Sequence, residues 1–395
     1  MRPFIVKAIF QREMLDMFRD RRALISMVVV PLFVFPLLIS LMTRIIPRLQ
    51  EKSQTDAKSA SIALHVTTPG VRQALEQAGM KVVEADDLKA AVLNKTLSAG
   101  VEELPGTPPS VQIYMDNSNT TSTATGDHIR EVLLDARNKQ VRESLRSSGL
   151  DPQVLTPYTV VRTNIAGDKK MSGAAWGSML GYVLLLLMFT GGMYPVIDMT
   201  AGEKERKTIE AFLASPARRS EIVLGKTLAA AIATLATAML TMGSLVYSVK
   251  SSAAKLQGGA GSAQLGQTMG TIPLDAHSLA LITAALVPMA IFAASVMFTI
   301  ALIARSYKEA QTYLMPLVFI VIFPALLGGL PGLELSPALY LIPIFNTSQI
   351  IHGILLGDVS MVNYGITLAA NLAYAGIAFF LATRMFQDER VLFRS

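Results

Sequence analysis

Seven stretches of the chain run for more than twenty residues without Asp, Glu, Lys or Arg: 23–43, 171–197, 227–249, 276–304, 310–333, 335–357 and 359–383. About 20 apolar residues in a helix cross the ~30 Å hydrocarbon core of a bilayer, so each run is long enough to span. Six are read as transmembrane helices. The seventh, 335–357, is interrupted by Pro337, Pro343, Asn346, Gln349, Gly353 and Gly357. It reads as a re-entrant or surface hairpin, because non-helical backbone at membrane depth needs protein or water around it. Pro31 and Pro36 predict a kink in the first span.

Between the first and second spans the pattern changes. Ile62–Val66, Lys81–Glu84 and Ser110–Met115 read as strands, and Val154–Val161 as a possible last one. Helices are expected from Pro69 to Ala78, from Asp86 to Leu97 and from about Thr121 to Ser147. Such alternation over 44–172 predicts a small α/β domain. It carries no glycine-rich phosphate loop, nucleophile elbow or convergent acid pair. Asp86-Asp87 and Glu102-Glu103 read as caps and solvated edges.

Ahead of the first span, residues 2–22 read as an amphipathic helix in the membrane interface. Phe4, Ala8, Met14, Leu15 and Phe18 fall on one side. Arg12, Glu13, Asp16 and Arg19 fall on the other, with Val6 and Ile9 blurring the division. The apolar run that follows lacks a small-residue cleavage site, so the first helix is expected to stay as an anchor.

Charge sets the orientation. With six spans, the segments 1–22, 198–226, 305–309 and 384–395 face the cytoplasm and carry 6, 6, 2 and 3 basic residues. The outer loops 250–275 and 334–358 carry only Lys250 and Lys255. Seven spans would put Arg384, Arg390 and Arg394 outside, against the positive-inside rule. The expected fold is a polytopic α-helical membrane protein with six transmembrane helices, both termini cytoplasmic, and an extracytoplasmic α/β domain between helices 1 and 2. A hydrophobic fraction of 51% and a mean hydropathy of +0.44 exclude an ordinary soluble enzyme. The net charge of +6 sits beside the spans, which is no nucleic-acid footprint. There is no cysteine, and His65, His128, His277 and His352 are too scattered to predict a metal site.

Within the spans, Thr227, Thr234, Thr237, Thr241, Ser244 and Ser248 repeat at helical spacing on one face. That stripe fits close helix packing or the polar wall of a substrate route, together with Tyr182 and Thr190 of the preceding span. No acid lies at the centre of any span, so an ion-coupled carrier is disfavoured. No loop has a nucleotide-binding signature, so any transport work must be supplied by a partner.

The densest charge lies at Gly202–Lys226. Ile209, Phe212 and Leu213 share a face at helical spacing. Glu203 with Lys207, and Arg206 with Glu210, predict i, i+4 ion pairs. Pro216 ends the run. Ser220 reads as the cap of the next helix, with Glu221 at its positive end.

Here the residues resemble a family. Glu205-Arg206-Lys207-Thr208-Ile209-Glu210, Leu213, Ser215-Pro216 and Glu221-Ile222-Val223-Leu224-Gly225-Lys226 resemble the first cytoplasmic loop of the permease subunits of ABC-2-type transporters. Within that family they resemble the bacterial sodium-efflux, Nat-type branch. The six spans, N-terminal elbow helix (1–22), outer α/β domain (44–172) and broken outer hairpin (334–358) are similar to the family's architecture. Members commonly carry glycine where Lys207 stands, and lysine favours helix by about 1 kcal/mol, so a continuous helix is expected over 203–214. The resemblance implies that 199–226 is a coupling loop seated on a separate cytoplasmic ATPase. Glu203, Glu205, Arg206, Lys207, Thr208, Glu210, Phe212, Leu213, Ser215, Pro216 and Glu221 would form the coupling element. It implies two ATPase copies holding ATP and Mg, no cofactor on this chain, a second permease chain forming a homodimer, contact with membrane lipid, and the bacterial inner membrane. The substrate implied is sodium or another cation, with drugs, lipids or peptides as alternatives. The residues alone also leave open a non-transporting sensor or scaffold with an outer ligand-binding domain.

Overall fold

A computed structural model describes residues 1–106, 109–151, 168–256, 274–327 and 337–388. The chain divides into two compact units, one of residues 1–41 and 165–395 and one of residues 42–164.

In the first unit, α1 (Pro3–Arg19) ends at Asp20, whose carboxylate accepts from the Arg22 amide and starts α2 (Arg21–Leu24). The expected single helix over 2–22 is therefore broken at an extended Asp20. A π-helical stretch Ile25–Val34 and then α3 (Phe35–Lys58) follow without interruption. Proline lacks the amide of an α-helical turn and crowds the preceding carbonyl, and the wider π turns take up Pro31. The polar residues after Thr43 do not stop the helix, which runs on to Lys58, while its apolar stretch ends at Leu41.

Next come α7 (Asp168–Ile197), a second π-helical stretch (Asp198–Gly202), the short helices α8 (Glu203–Glu205) and α9 (Ile209–Leu213), and α10 (Arg219–Leu256). α11 (Ala276–Ala301), α12 (Tyr307–Leu327), a 3-10 turn (Pro337–Leu341), α13 (Phe345–Leu356) and α14 (Met361–Gln387) complete the unit. Among the described residues, five stretches are long and apolar enough to cross a membrane: Arg21–Leu41, Met179–Glu205, Arg219–Ser251, Ala276–Ala301 and Met361–Gln387. The remaining expected span, 310–333, begins in α12 and continues beyond the described residues.

α7 lies at the centre. Its glycines bring α13 into contact, since a Cβ on Gly173, Gly177 or Gly181 would fall 2.2, 2.3 or 2.9 Å from Leu355, His352 or Ser348. α13 has 12 residues, or about 18 Å at 1.5 Å per residue, too short to span. It is also largely buried. Asn346 donates to the Tyr340 carbonyl and to Asn371 of α14, and Asn371 donates to Thr347.

The second unit is a four-stranded sheet in the order β2-β1-β3-β4, formed by β1 (Ser61–His65), β2 (Lys81–Val83), β3 (Ala99–Leu104) and β4 (Ser110–Tyr114). β1 pairs in parallel with β2 and β3, and β4 is antiparallel to β3. Ile62 and Leu64 pack with Leu75 of α4 (Pro69–Gln77) and Ile129 of α6 (Thr120–Ser147). Ala63 faces the other way, with Leu88 and Val92 of α5 (Leu88–Leu93). This alternation covers both faces. Glu102-Glu103 lies in β3, partly exposed. The helix expected over Asp86–Leu97 is shortened to α5, capped by Asp87 and ended before Lys95 at φ +59°. The strand expected at Val154–Val161 lies outside the described residues.

Candidate coupling site

The charged loop is built on the end of α7. Its helical path continues through the second π-helical stretch into α8 and stops at Lys207. There the Thr208 amide donates to the Glu203 carbonyl (2.9 Å) and the Lys207 amide to the Lys204 carbonyl (3.0 Å). Those two bonds are the Schellman termination, with Lys207 in the left-handed position at φ +58°. The continuous helix expected over 203–214 is therefore corrected to two short ones. For the same reason the i, i+4 pairs Glu203–Lys207 and Arg206–Glu210 do not form.

Each charge of Glu203–Arg206 instead reaches a different partner. The wholly buried Lys226 ammonium of α10 donates to Glu203 Oε2 (2.7 Å), to Glu13 Oε1 of α1 (2.8 Å) and to the Met199 carbonyl (3.1 Å). Lys204 donates to the carbonyls of Leu302 and Ala304, where α11 ends. Glu205 accepts from the Tyr307 amide (2.8 Å), where α12 begins. Arg206 pairs with Asp198 (2.8 Å), and that hydrogen bond holds its guanidinium pKa above the usual value. Last-turn carbonyls and first-turn amides lack helical partners, so the Lys204 and Glu205 contacts also satisfy groups the helices leave open.

Phe212 is buried beneath this layer. The Arg12 guanidinium lies 4.2 Å and the Lys226 ammonium 4.4 Å from its ring centroid, as cation–π contacts. Leu213 has no described side chain. Ser215 is half-buried and Pro216 exposed, and the Pro216 carbonyl accepts from Arg2 (2.6 Å). Glu221 is buried. It accepts from the Arg2 amide (2.7 Å), the Arg2 guanidinium (2.9 Å) and the Arg218 amide (3.0 Å). It thus forms the reach-back half of a capping box, and α10 starts one residue before the expected cap, Ser220.

Of the predicted coupling residues, Glu203, Phe212 and Glu221 are internal. Glu205, Arg206, Lys207, Thr208 and Glu210 are exposed, and Lys207 and Glu210 have no ion-pair partner among the described residues. A cavity of about 520 Å³ opens beside Glu13 and Glu203, lined also by Arg12, Asp16, Arg19, Asp198, Arg206 and Tyr307 among others. Among the described residues no three His, Asp or Glu side chains gather to hold a metal.

The hydroxyl stripe runs along a contact between two helices. Thr234, Thr237 and Thr241 are fully buried and donate to carbonyls of their own helix. Cβ atoms on Gly192 and Gly191 of α7 would fall 2.0 Å from Thr234 and 2.5 Å from Thr237. Ser244 is buried without a hydrogen-bond partner among the described residues. Thr190 donates to Leu186 (2.8 Å), and Tyr182 packs at the margin of the core. Thr234 and Thr237 thus line the α7–α10 contact.

Reading the pattern alone missed Glu13 and Arg2. A helical wheel places Glu13 on the solvent side, whereas the buried face is Ile9, Glu13 and Met17. The signal was Lys226, set directly before a charge-free span. A cation there requires a carboxylate, and Glu13 sits in an i, i+4 row of apolar residues.

Residues 21–384 match the family model described as ABC-2 family transporter protein. The chain is also 25% identical over 392 residues to the ABC transporter permease protein NatB of Bacillus subtilis (strain 168). The match covers 97% of this chain and 98% of that protein.

Proposed function

We infer the mechanism from one premise: this chain belongs to the ABC-2 family of transporter proteins. It is a multi-pass membrane protein and a permease subunit of an ABC transporter. We propose that ATP, with Mg, is hydrolysed in a separate ATPase chain, and that two permease and two ATPase chains assemble at the bacterial inner membrane. Closure of the ATPase pair is then received at Lys207–Pro216. We place the α/β domain, residues 44–172, on the outer face.

The observation that carries this reading is the tethering of Glu203–Arg206. Glu203 is joined through Lys226 to α1 and α10, Lys204 to the end of α11, and Glu205 to the start of α12. A push on the exposed edge at Lys207, Thr208 and Glu210 therefore reaches four helices together. Packed elements of this kind transmit displacement because they deform little.

The exported substrate we propose is sodium or another small cation, from the likeness to the Nat-type branch. The hydroxyls of Thr234, Thr237 and Thr241 are turned to their own helix, so we place the path between two permease chains. The test is reconstitution of the chain with its cognate ATPase and measurement of ATP hydrolysis against cations, drugs, lipids and peptides. Cation-stimulated hydrolysis with outward cation movement is expected. Stimulation by a drug, lipid or peptide alone replaces the cation, and an ATPase that does not associate overturns the coupling reading.

A further inference from the structure

The N-terminal helix has a feature that the coupling loop does not use. α1 meets α10 at Gly225, where a Cβ would lie 2.8 Å from Ile9 and 3.2 Å from the Val6 carbonyl. Beside this contact the two helices leave an open groove of about 450 Å³, within the ~300–1,000 Å³ of ligand sites. Val6 and Phe10 of α1 line it with Leu224, Leu228 and Ile232 of α10. The spacing of four puts each set on one helix face.

The rim of the groove is basic. Lys7 also lines it. Lys7 is exposed and has no ion-pair partner among the described residues, and no acid is among the lining residues. Arg2 does not compete, because its guanidinium is held by Glu221 and the Pro216 carbonyl. The groove also opens where lipid is at hand. Residues Arg219–Ser251 are apolar enough to cross a membrane, and Phe4, Leu15 and Phe18 of α1 are exposed, as in a helix lying in the interface.

We propose that this groove is a binding site for an anionic phospholipid. One acyl chain lies along Leu224, Leu228 and Ile232, and Lys7 takes the phosphate of the headgroup. An apolar trough with the Lys7 ammonium unpaired at its rim complements an amphipathic anion. A zwitterionic lipid fills the trough equally well but brings its own cation to the rim, so the preference rests on Lys7. A single lysine near an anionic surface supplies about a fivefold preference. The site stands on the groove and is independent of the substrate moved.

The absence of cysteine makes a single-site reporter straightforward. The full-length chain with Ile232→Cys carries an environment-sensitive fluorophore in phosphatidylcholine vesicles. Brominated phosphatidylglycerol or brominated phosphatidylcholine is then added at equal mole fractions. Half-quenching is expected at about fivefold less phosphatidylglycerol. Lys7→Gln should equalise the two lipids and Lys7→Arg should keep the difference. A reporter at Phe323→Cys, on exposed α12 surface, should show no preference. Equal quenching at position 232, an unchanged preference in Lys7→Gln, or the same preference at position 323 overturns the site. Phosphatidylglycerol counted by native mass spectrometry on the unlabelled Lys7→Gln and Lys7 chains decides the case independently of the label: equal occupancy overturns it.

Discussion

Lys226 and Glu13 stand 213 positions apart in the chain, yet Nζ and Oε1 are 2.8 Å apart with the lysine wholly inaccessible. The same ammonium holds Glu203 at 2.7 Å, so one cation closes α1, α10 and the charged loop into a single body. Buried charges are tolerated only with such partners. Removing one member of a buried pair leaves the others uncompensated, at a cost of about 3–5 kcal/mol.

Lys226→Met is therefore expected to lower the thermal unfolding temperature sharply, since two carboxylates lose their cation. Replacing all three members with apolar residues, as Glu13→Leu, Glu203→Leu and Lys226→Met, should recover most of that stability. Thermal unfolding of the purified chain measures both. A triple variant as unstable as Lys226→Met would show that the carboxylates are not what the lysine compensates.

Lys207 occupies a backbone conformation that suits glycine. Lys207→Gly is expected to be neutral or stabilising by up to about 1 kcal/mol, and Lys207→Val, β-branched in the left-handed region, destabilising by about 1–2 kcal/mol. Hydrogen exchange of the amides at 207 and 208, which close the turn, reports the difference. Faster exchange in Lys207→Gly would contradict the Schellman assignment.

The Lys207 turn marks where pattern reading stops. Charge-free runs, the positions of Pro216 and Gly79, and the alternation in β1 and β4 were legible because they depend on local periodicity. The break at Lys207 was not, because helix propensity favours lysine over glycine and only the tertiary ties of residues 203–206 impose the turn. β3 was hidden because Ala99-Gly100-Val101 offers little hydrophobic area and Glu102-Glu103 breaks the apolar alternation of a strand. The hydroxyl stripe was visible as a face, but spacing does not say what that face touches. Two glycines on α7, close to the carbonyl-bonded hydroxyls of Thr237 and Thr234, show that it touches a neighbouring helix. The long-range carboxylate of Glu13 has no local signal beyond its apolar row.

The Glu210 side chain is exposed and makes no hydrogen bond or ion pair among the described residues, so Glu210→Arg should leave the unfolding temperature unchanged, as surface substitutions do within about 0.5 kcal/mol. Association with the ATPase chain should weaken, since charge is reversed on the face proposed to receive it. Co-purification and ATP hydrolysis measure this. Wild-type association with normal coupled transport would remove Glu210 from the interface.

Packing at the α7–α10 contact predicts an asymmetry between two substitutions. Thr237→Val keeps the side-chain volume and deletes a hydroxyl bonded to its own helix, so stability should change by less than about 1.5 kcal/mol. Gly192→Leu drives a side chain into Thr234, and overpacking costs about 1–3 kcal/mol. Thermal unfolding separates them. If Thr237→Val instead abolishes substrate-stimulated hydrolysis at normal stability, the hydroxyl contacts substrate.

Glu103 of β3 gives the second unit a specific pH response. Its carboxylate accepts from the amides of Thr67 and Thr68 at 2.7 and 2.9 Å and from their hydroxyls at 2.9 and 2.8 Å. These bonds, the Thr68 amide foremost, lower its pKa from the usual 4.5 to about 2. Hydrogen bonds to the charged form favour it, and Thr68 stands directly before α4, whose positive end also favours an anion. Because the folded state holds this proton less tightly than the unfolded state, the contribution is complete above pH 4.5. It is lost as pH falls from 4.5 through about 2. Hydrogen exchange in the full-length chain, read at β1, α4 and β3, should show protection falling across that window. Glu103→Gln should start from lower protection at neutral pH and lose this part of the pH dependence. An identical pH profile in Glu103→Gln would mean that another carboxylate sets the acid response.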